Sequence, residues 1–224
     1  MSNEEGTRPM AEPQRRPYDS TRRRAAARRT RALILDACRE LLFRDGYRAT
    51  TVRAVAERAG VSPETLYKTF GSKAQLMKAL WDVTQAGDDE PLAMAERPVL
   101  QEVLRTRDPY PKLRLYAGFV RGVHERLAPL FTLLTSAGGE VAELLAEAEE
   151  ERLTGITAFV GHLATVDVLP AGADRAYLVD ACWVLTGPDL HQRLTVARGW
   201  DAETYERWLA DTLSATLLSP DGRA

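Results

Sequence analysis

Residues 50–73 read TTVRAVAERAGVSPETLYKTFGSK and hold two short amphipathic segments on either side of Gly60. Thr51 is a favourable N-cap, and apolar residues follow it at spacings of three and four, which predicts a helix that ends at Gly60. Ser62 caps a second segment, and Pro63 occupies its first position, where a missing N–H group costs nothing. Two short helices joined by a tight turn containing glycine are typical of a helix-turn-helix.

The second predicted helix has few residues to bury. Leu66 and Phe70 are expected to face inward, whereas the other positions point outward and are mostly polar. The second helix of a helix-turn-helix enters the DNA major groove, with its early residues near base edges and its first N–H groups near phosphate. The pattern therefore favours a DNA-binding helix. An ordinary helical hairpin is the alternative, because docking context is needed to confirm such a motif.

The charge is distributed unevenly along the chain, although the 224 residues sum to a net charge of −2. Residues 1–78 hold 17 Lys and Arg against 9 Asp and Glu, and the remaining residues hold 13 against 23. A basic first third on an acidic body indicates a polyanionic partner for that third. The alternative is a solvated charged tail.

Composition also argues against a metal site, a membrane span and a secretory signal. Cys38 and Cys182 both fall in apolar patterns, so buried free thiols in a reducing compartment are expected. The three histidines show no metal-ligand spacing with them, and neither a metal nor a cofactor is predicted. No run of about 18 apolar residues is present, and the Arg-rich start lacks the apolar region of a secretory signal, so a cytoplasmic protein is expected.

The chain divides into three predicted segments, and no stretch of it alternates as a strand does. Residues 1–29 are expected to be a disordered Arg-rich arm, although the first helix could begin near Thr21. The arm either contacts DNA or only solubilises the chain. Residues 30–75 are expected to form a three-helix DNA-binding domain, and residues 76–224 a helical bundle. The helices predicted for the bundle follow the fourth helix at 72–84 and cover 99–105, 112–126, 128–135, 141–164, 174–185, 190–198 and 202–218.

The opening stretch resembles the signature of the TetR family of transcriptional regulators. The matching residues are Thr51, Val52, Arg53, Ala56, Ala59, Gly60, Val61, Ser62, Thr65, Leu66, Tyr67, Phe70 and Lys73, with Ile34, Ala37, Leu41, Gly46 and Tyr47 upstream. The resemblance implies an all-α protein that binds a palindromic double-stranded operator as a homodimer. It also implies that the C-terminal domain holds both a small-molecule pocket and the dimer interface.

The resemblance assigns DNA contacts by motif position. The predicted DNA-binding residues are Thr51, Arg53, Ser62, Pro63, Glu64, Thr65, Tyr67, Lys68, Thr69 and Lys73. Tyr67 and Lys73 are expected at phosphates. Glu64 either accepts from a cytosine amino group or only favours the positive end of the helix. Thr69 departs from the family, since many relatives carry a longer His or Trp there, and the Arg-rich arm is a possible compensation.

Effector and dimer contacts are predicted for the bundle. Large apolar residues are usually core, but a regulator must leave part of its interior open, and pockets between bundle helices are common. The predicted ligand-binding residues are Phe119, Val123, Phe131, Phe159, His162 and Trp183. The predicted dimer helices are 174–185 and 202–218. The leucines expected in the dimer interface are Leu178, Leu185, Leu209, Leu213 and Leu217.

Three functional hypotheses follow from these patterns. The first is a repressor that a small apolar effector releases from its operator. The second is a regulator of the same fold without a ligand pocket. The third is a helical small-molecule enzyme, which the sequence disfavours because it shows no convincing nucleophile–base pair or metal cluster. We therefore expect a regulator and not an enzyme.

Overall fold

The computed structural model describes residues 20–218, which form ten α-helices and no strand. The helices are α1 (Ser20–Ala49), α2 (Val52–Ala59), α3 (Pro63–Phe70), α4 (Lys73–Ala86), α5 (Pro98–Arg105), α6 (Pro109–Ala137), α7 (Ala142–Thr165), α8 (Arg175–Leu185), α9 (Pro188–Gln192) and α10 (Ala202–Leu217). The all-α prediction is confirmed. Within residues 20–218, every helix is too short or too polar to span a membrane.

The predicted capping signals define α2 and α3. The Thr51 hydroxyl oxygen accepts from the Ala54 N–H at 3.1 Å, and the Ser62 hydroxyl oxygen accepts from the Thr65 N–H at 3.2 Å. Gly60 lies between the two helices with a φ of +67°, a left-handed conformation that glycine adopts without a Cβ clash. Each helix has eight residues, so tertiary packing must hold them in place.

Helix α1 is longer than the sequence predicted. It begins at Ser20, so residues 20–29, which were assigned to a disordered arm, are helical, and only the early start near Thr21 agrees with the structure. The remainder of the predicted arm, residues 1–19, lies outside the described residues. At the other end the helix is interrupted at Gly46, whose φ of +81° and ψ of 171° turn the chain toward α2.

Helix α6 is continuous where two helices were predicted. The break expected at Pro129 is wrong, since Pro109–Ala137 forms one helix with Pro129 inside it. Pro109 and Pro111 lie in the first turn, where the N–H groups have no intrahelical acceptor. Pro129 does remove one helical hydrogen bond. Leu127 and Leu130, on both sides of it, are buried, and their packing keeps the helix continuous.

Two hydrophobic cores lie at the two ends of α6. The first core joins α1–α4 to the C-terminal half of α6 and the start of α7. The second core joins the N-terminal half of α6 to α5, α7, α8 and α10. Helix α6 contributes Leu127, Leu130 and Leu134 to the first core, and Leu113 and Val120 to the second. One helix therefore connects the region predicted to bind DNA with the bundle.

The leucines predicted for a dimer interface point into the protein's own second core. Leu178, Leu209, Leu213 and Leu217 are each at most 3% exposed and belong to the second core. The half-buried Leu185 packs against the same core. The large apolar residues that α8 exposes are Tyr177 (66%), Trp183 (37%) and Val184 (57%). The interface assignment of the leucines was wrong, because α8 and α10 are apolar on more than one face.

Candidate DNA interface and ligand cavity

Helix α3 is anchored through one face and exposed on the other. Leu66 is fully buried and Phe70 is 7% exposed, and both belong to the first core. Tyr67 on the next position is 53% exposed. The other predicted DNA-binding positions of this helix surround Tyr67, half-buried at Thr65 and exposed at Pro63, Glu64, Lys68 and Thr69. The structure thus brings these predicted residues together on one accessible surface.

Two polar residues on this surface already interact within α3 or with its N-cap. Interactions with its own backbone N–H and with the Ser62 hydroxyl lower the pKa of the Glu64 carboxyl group. This geometry supports the interpretation that Glu64 stabilises the helix N-terminus. The Thr69 hydroxyl donates to the Thr65 carbonyl at 2.8 Å, which occupies the proton it would offer to a phosphate. Base or phosphate contact by either residue stays a prediction.

Lys73 contacts the turn before α2. Its ammonium group donates to the Tyr47 carbonyl at 2.7 Å and lies 3.9 Å from the centroid of the Tyr47 ring. The half-buried side chain thereby ties the N-terminus of α4 to the segment that follows the Gly46 interruption. Its predicted phosphate contact stays a prediction, and the structure gives Lys73 a structural role that the sequence did not indicate.

Replacing Lys73 with alanine is expected to lower the free energy of unfolding by about 1–2 kcal/mol, since a charge-assisted hydrogen bond and a cation–π contact are lost. Chemical denaturation measured by circular dichroism checks this. The matched control is Lys68→Ala on the exposed face of α3, which should leave stability within about 0.5 kcal/mol. Equal stability of the two variants would contradict the structural role.

The basic start of α1 lies on a regular helix. The exposed arginines of this segment are Arg22, Arg23, Arg24, Arg28 and Arg29. Arg31 is bound differently: its Nε donates to the two carboxylate oxygens of Asp89 at 3.0 and 3.1 Å. Its guanidinium carbon also lies 4.9 Å from the centroid of the Phe70 ring. Arg31 therefore joins α1 to α3 and to the segment after α4.

A cavity of about 630 Å³ lies between α4, α5, α6, α7 and α9. Five of the six predicted ligand-binding residues line it: Phe119, Val123, Phe131, Phe159 and His162. Most of the remaining wall is apolar, with Tyr116 stacked on Phe159 at a ring-centroid distance of 3.9 Å. The volume falls in the range of small-molecule sites in proteins.

Trp183 does not line this cavity. Its indole is 37% exposed on the outer side of α8, where its N–H donates to Glu149 at 3.1 Å and the Arg152 guanidinium lies 5.1 Å from its ring centroid. The neighbouring Cys182 takes the buried position instead. The predicted ligand contact of Trp183 was therefore wrong, because consecutive residues of a helix face different sides.

The structure adds lining residues that sequence reasoning missed. Trp81 and Gln85 reach the cavity from α4, and His191 reaches it from α9. Lys112 lies behind the wall, where its ammonium group is 2.7 Å from His162 Nε2 and 3.3 Å from the Leu104 carbonyl. A lysine that is 1% exposed has no distinctive sequence signal, since Lys112 follows two prolines in a segment that reads as a helix start.

His124 is a neutral buried histidine. Burial, then His191 and Arg152, lower its pKa to about 3, against a smaller opposing effect of its hydrogen bond to the Thr186 backbone. Its Nδ1 lies 3.4 Å from the Tyr205 hydroxyl, which supplies the second partner of the ring. Burial also lowers the pKa values of His191 and His162.

The depressed pKa of His124 makes stability depend on pH. The folded state keeps the ring neutral down to a pKa of about 3, whereas the unfolded chain takes up a proton below about 6.5. The stabilisation is fully present above pH ~6.5 and is lost as the pH falls, by about 2 kcal/mol at pH ~5. Urea unfolding at a series of pH values measures this. His124→Gln should show a shallower decrease over that range, and an unchanged decrease would contradict the assignment.

Within residues 20–218 no cluster of three or more His, Cys, Asp or Glu side chains is placed to hold a metal ion. Cys38 and Cys182 are buried free thiols, and burial raises the pKa of each to about 12. A thiol with so high a pKa is a poor nucleophile at neutral pH.

Sequence comparison matches the N-terminal region. Residues 34–80 match the model of the bacterial regulatory proteins, tetR family. The uncharacterised HTH-type transcriptional regulator YvkB of Bacillus subtilis is 36% identical over 77 residues, which are 34% of this chain and 41% of YvkB. The HTH-type transcriptional repressor KstR of Mycolicibacterium smegmatis is 48% identical over 52 residues, 23% of this chain and 26% of KstR. The matches thus span less than half the length of these curated relatives.

Structural comparison extends over most of the chain. The complex of SmeT with triclosan is 18% identical and has a TM-score of 0.63, covering 87% of this chain and 94% of SmeT. SmeT is the repressor of the Stenotrophomonas maltophilia multidrug efflux pump SmeDEF. At this identity the comparison shows a shared fold, while the sequence match lies in α1–α4. Residues 34–80 therefore form a domain of the tetR family of bacterial regulatory proteins.

Proposed function

We propose that this protein is a cytoplasmic, homodimeric transcriptional repressor that an uncharged small molecule releases from a palindromic DNA operator. The geometry of α3 carries the proposal. Two buried side chains, Leu66 and Phe70, hold the helix, and its remaining surface is accessible. Arg31 of α1 lies 4.9 Å from the Phe70 ring centroid and adds a basic group at this helix. The relative KstR is a transcriptional repressor, which supports repression and not activation for this protein.

The cavity favours DNA binding that a ligand controls, as opposed to constitutive DNA binding. Helix α4 follows α3 directly, places Leu76 and Leu80 in the first core, and lines the cavity with Trp81 and Gln85. A ligand that prefers one position of α4 would shift the protein toward that conformer, and a ligand indifferent to the position would shift nothing. The ligand in the SmeT complex, triclosan, is likewise a small molecule.

Operator geometry and the exposed face of α8 support the proposed homodimer. Two recognition helices about 34 Å apart would read successive major grooves, which requires two copies of the chain. The exposed Tyr177 and Val184 lie seven residues apart on α8, hence on one helix face. We propose that this face packs against its counterpart. Val184→Glu should yield monomers in sedimentation analysis, while Val166→Glu, at an exposed site after α7, should leave dimers intact.

The experiment that tests DNA recognition is selection of binding sites from a random duplex library with the full chain. We expect an inverted repeat to be enriched, and the logarithm of its affinity to fall linearly with the logarithm of salt concentration. Tyr67→Phe should weaken selected and random DNA alike, since a phosphate contact positions the protein without reading sequence. Failure to enrich any sequence, or a flat salt response, would reject the proposal.

A further inference from the structure

The imidazole of His191 makes no hydrogen bond within residues 20–218, although the residue as a whole is buried. It is 6% exposed and lines the cavity from α9. Its backbone is satisfied, because its N–H donates to the Gly187 carbonyl at 3.2 Å and its carbonyl accepts from the Thr195 hydroxyl at 2.8 Å. Its imidazole centroid lies 4.8 Å from that of the Tyr205 ring and 5.0 Å from that of the His124 ring, and it bonds to no side chain or backbone group in residues 20–218.

The polar neighbours of His191 are already engaged elsewhere. His124 Nδ1 lies 3.4 Å from the Tyr205 hydroxyl, within hydrogen-bond distance. The Gln192 amide donates to the Thr132 hydroxyl at 2.7 Å. Buried polar groups normally have partners, so an imidazole left open to a cavity indicates that something entering the cavity completes its bonding.

Among the described residues, no side chain that lines the cavity offers an uncompensated charge, and the Lys112 ammonium group behind the wall is engaged by His162 Nε2 and the Leu104 carbonyl. Among the described residues that line it, Arg152 is paired with Glu149 at 2.7 Å, and Glu151 is paired with Lys78 at 2.9 Å. His124 and His191 are buried and neutral at pH 7, since burial lowers both pKa values. An ionised ligand would therefore lose its hydration without gaining a counter-charge.

The walls suit an aromatic ring. Tyr116 and Phe159 stack with an angle of 14° between their planes, and the Tyr116 and Phe119 ring centroids are 6.1 Å apart. All three residues line the cavity, as does Trp81. Aromatic pairs gain from offset or edge contacts beyond the burial of their area, so flat aromatic ligands match this lining.

We infer that the cavity takes an uncharged aromatic alcohol or phenol, bound with its hydroxyl group against the imidazole of His191. A hydroxyl can donate to one nitrogen of a neutral imidazole or accept from the other, so it satisfies either tautomer. The inference rests on the proposed effector site and names the chemical class of the effector. It assigns His191 as the residue that selects for the hydroxyl group.

The test measures binding of three probes to the full chain by isothermal titration calorimetry in the absence of DNA. The probes share one scaffold: 4-phenylphenol, biphenyl and biphenyl-4-carboxylate. For the wild-type chain we expect 4-phenylphenol to bind roughly three- to tenfold more tightly than biphenyl, the gain from one net hydrogen bond. The carboxylate should bind more weakly than either.

Two variants identify the role of His191. His191→Phe should abolish the preference for 4-phenylphenol over biphenyl, whereas His191→Gln, which retains a donor and an acceptor, should keep it. Because His191→Phe removes an unpartnered buried polar group, the ligand-free variant should melt no lower than the wild type. A folded His191→Phe variant that retained the preference would overturn the assignment.

The outcomes separate this inference from the proposed function. Tightest binding by the carboxylate, or no binding by any of the three probes, would overturn the inference even if the chain bound an operator. Discrimination that depends on His191 would support it even if no probe released DNA. In that case the proposed release of DNA by an effector would be rejected, and the inferred chemical class of the cavity ligand would be retained.

Discussion

Leu66→Ala is expected to lower the free energy of unfolding by about 2–5 kcal/mol, the range for a large-to-small change at a buried site. Leu66 is fully buried and is one of only two side chains that α3, as described, buries completely or nearly so. A helix of eight residues is unstable alone, so loss of one of two anchors should also misplace its exposed face. We therefore expect DNA binding to fall together with stability.

The matched control is the next residue, Tyr67, which is 53% exposed. Tyr67→Ala should leave the unfolding free energy within about 0.5 kcal/mol while weakening DNA binding. Denaturation and DNA-binding isotherms measured on both variants distinguish a residue that holds α3 in place from a residue that contacts DNA. If Leu66→Ala bound DNA as the wild type does, α3 would not be the recognition element.

Filling the cavity is expected to abolish effector binding while DNA binding persists. Gly155 lines the cavity on α7, and a Cβ atom built there would meet nothing within 4 Å. Gly155→Trp should place an indole in the space and weaken binding of 4-phenylphenol at least tenfold. Replacing glycine in a helix interior also favours the helix by up to about 1 kcal/mol, so folding should be retained.

Gly161 on the same helix provides the control for this variant. A Cβ there also meets nothing within 4 Å, but Gly161 does not line the cavity. Gly161→Trp should therefore bind 4-phenylphenol as the wild type does. Undiminished binding by Gly155→Trp, measured by titration calorimetry, would place the effector site elsewhere in the molecule.

The sequence predicts those helix ends that are determined by residues close together in the chain. Thr51, Gly60 and Ser62 determine the ends of α2 and α3 through bonds and backbone conformations spanning at most a few positions. The continuation of α6 through Pro129 could not be predicted this way. Packing by residues far away in sequence offsets the lost hydrogen bond, and proline alone favours a break.

The cavity residues were harder to assign than the helix ends. Aromatic content indicated Phe119, Phe131 and Phe159, and the structure places all three at the cavity. The same criterion wrongly included Trp183, because α8 is apolar on several faces and periodicity does not show which one is inward. His191 was missed because a single histidine carries no pattern. Only the tertiary structure shows that its imidazole lies in a cavity without a partner.

The composition of the first core limits how this protein can be divided and recombined. The helices that carry the DNA-facing surface are covered by Leu127, Leu130 and Leu134, which lie more than 40 residues after the end of α4. A fragment that stops at residue 86 would leave Trp81 without its ring contact to Phe131, whose centroid lies 6.5 Å away. Melting of the two ends of the molecule should therefore be coupled in one calorimetric transition. A chimaera that takes α1–α4 from a relative would have to match this half of α6 as well, so the proposed DNA-binding and ligand-binding regions share one packing constraint.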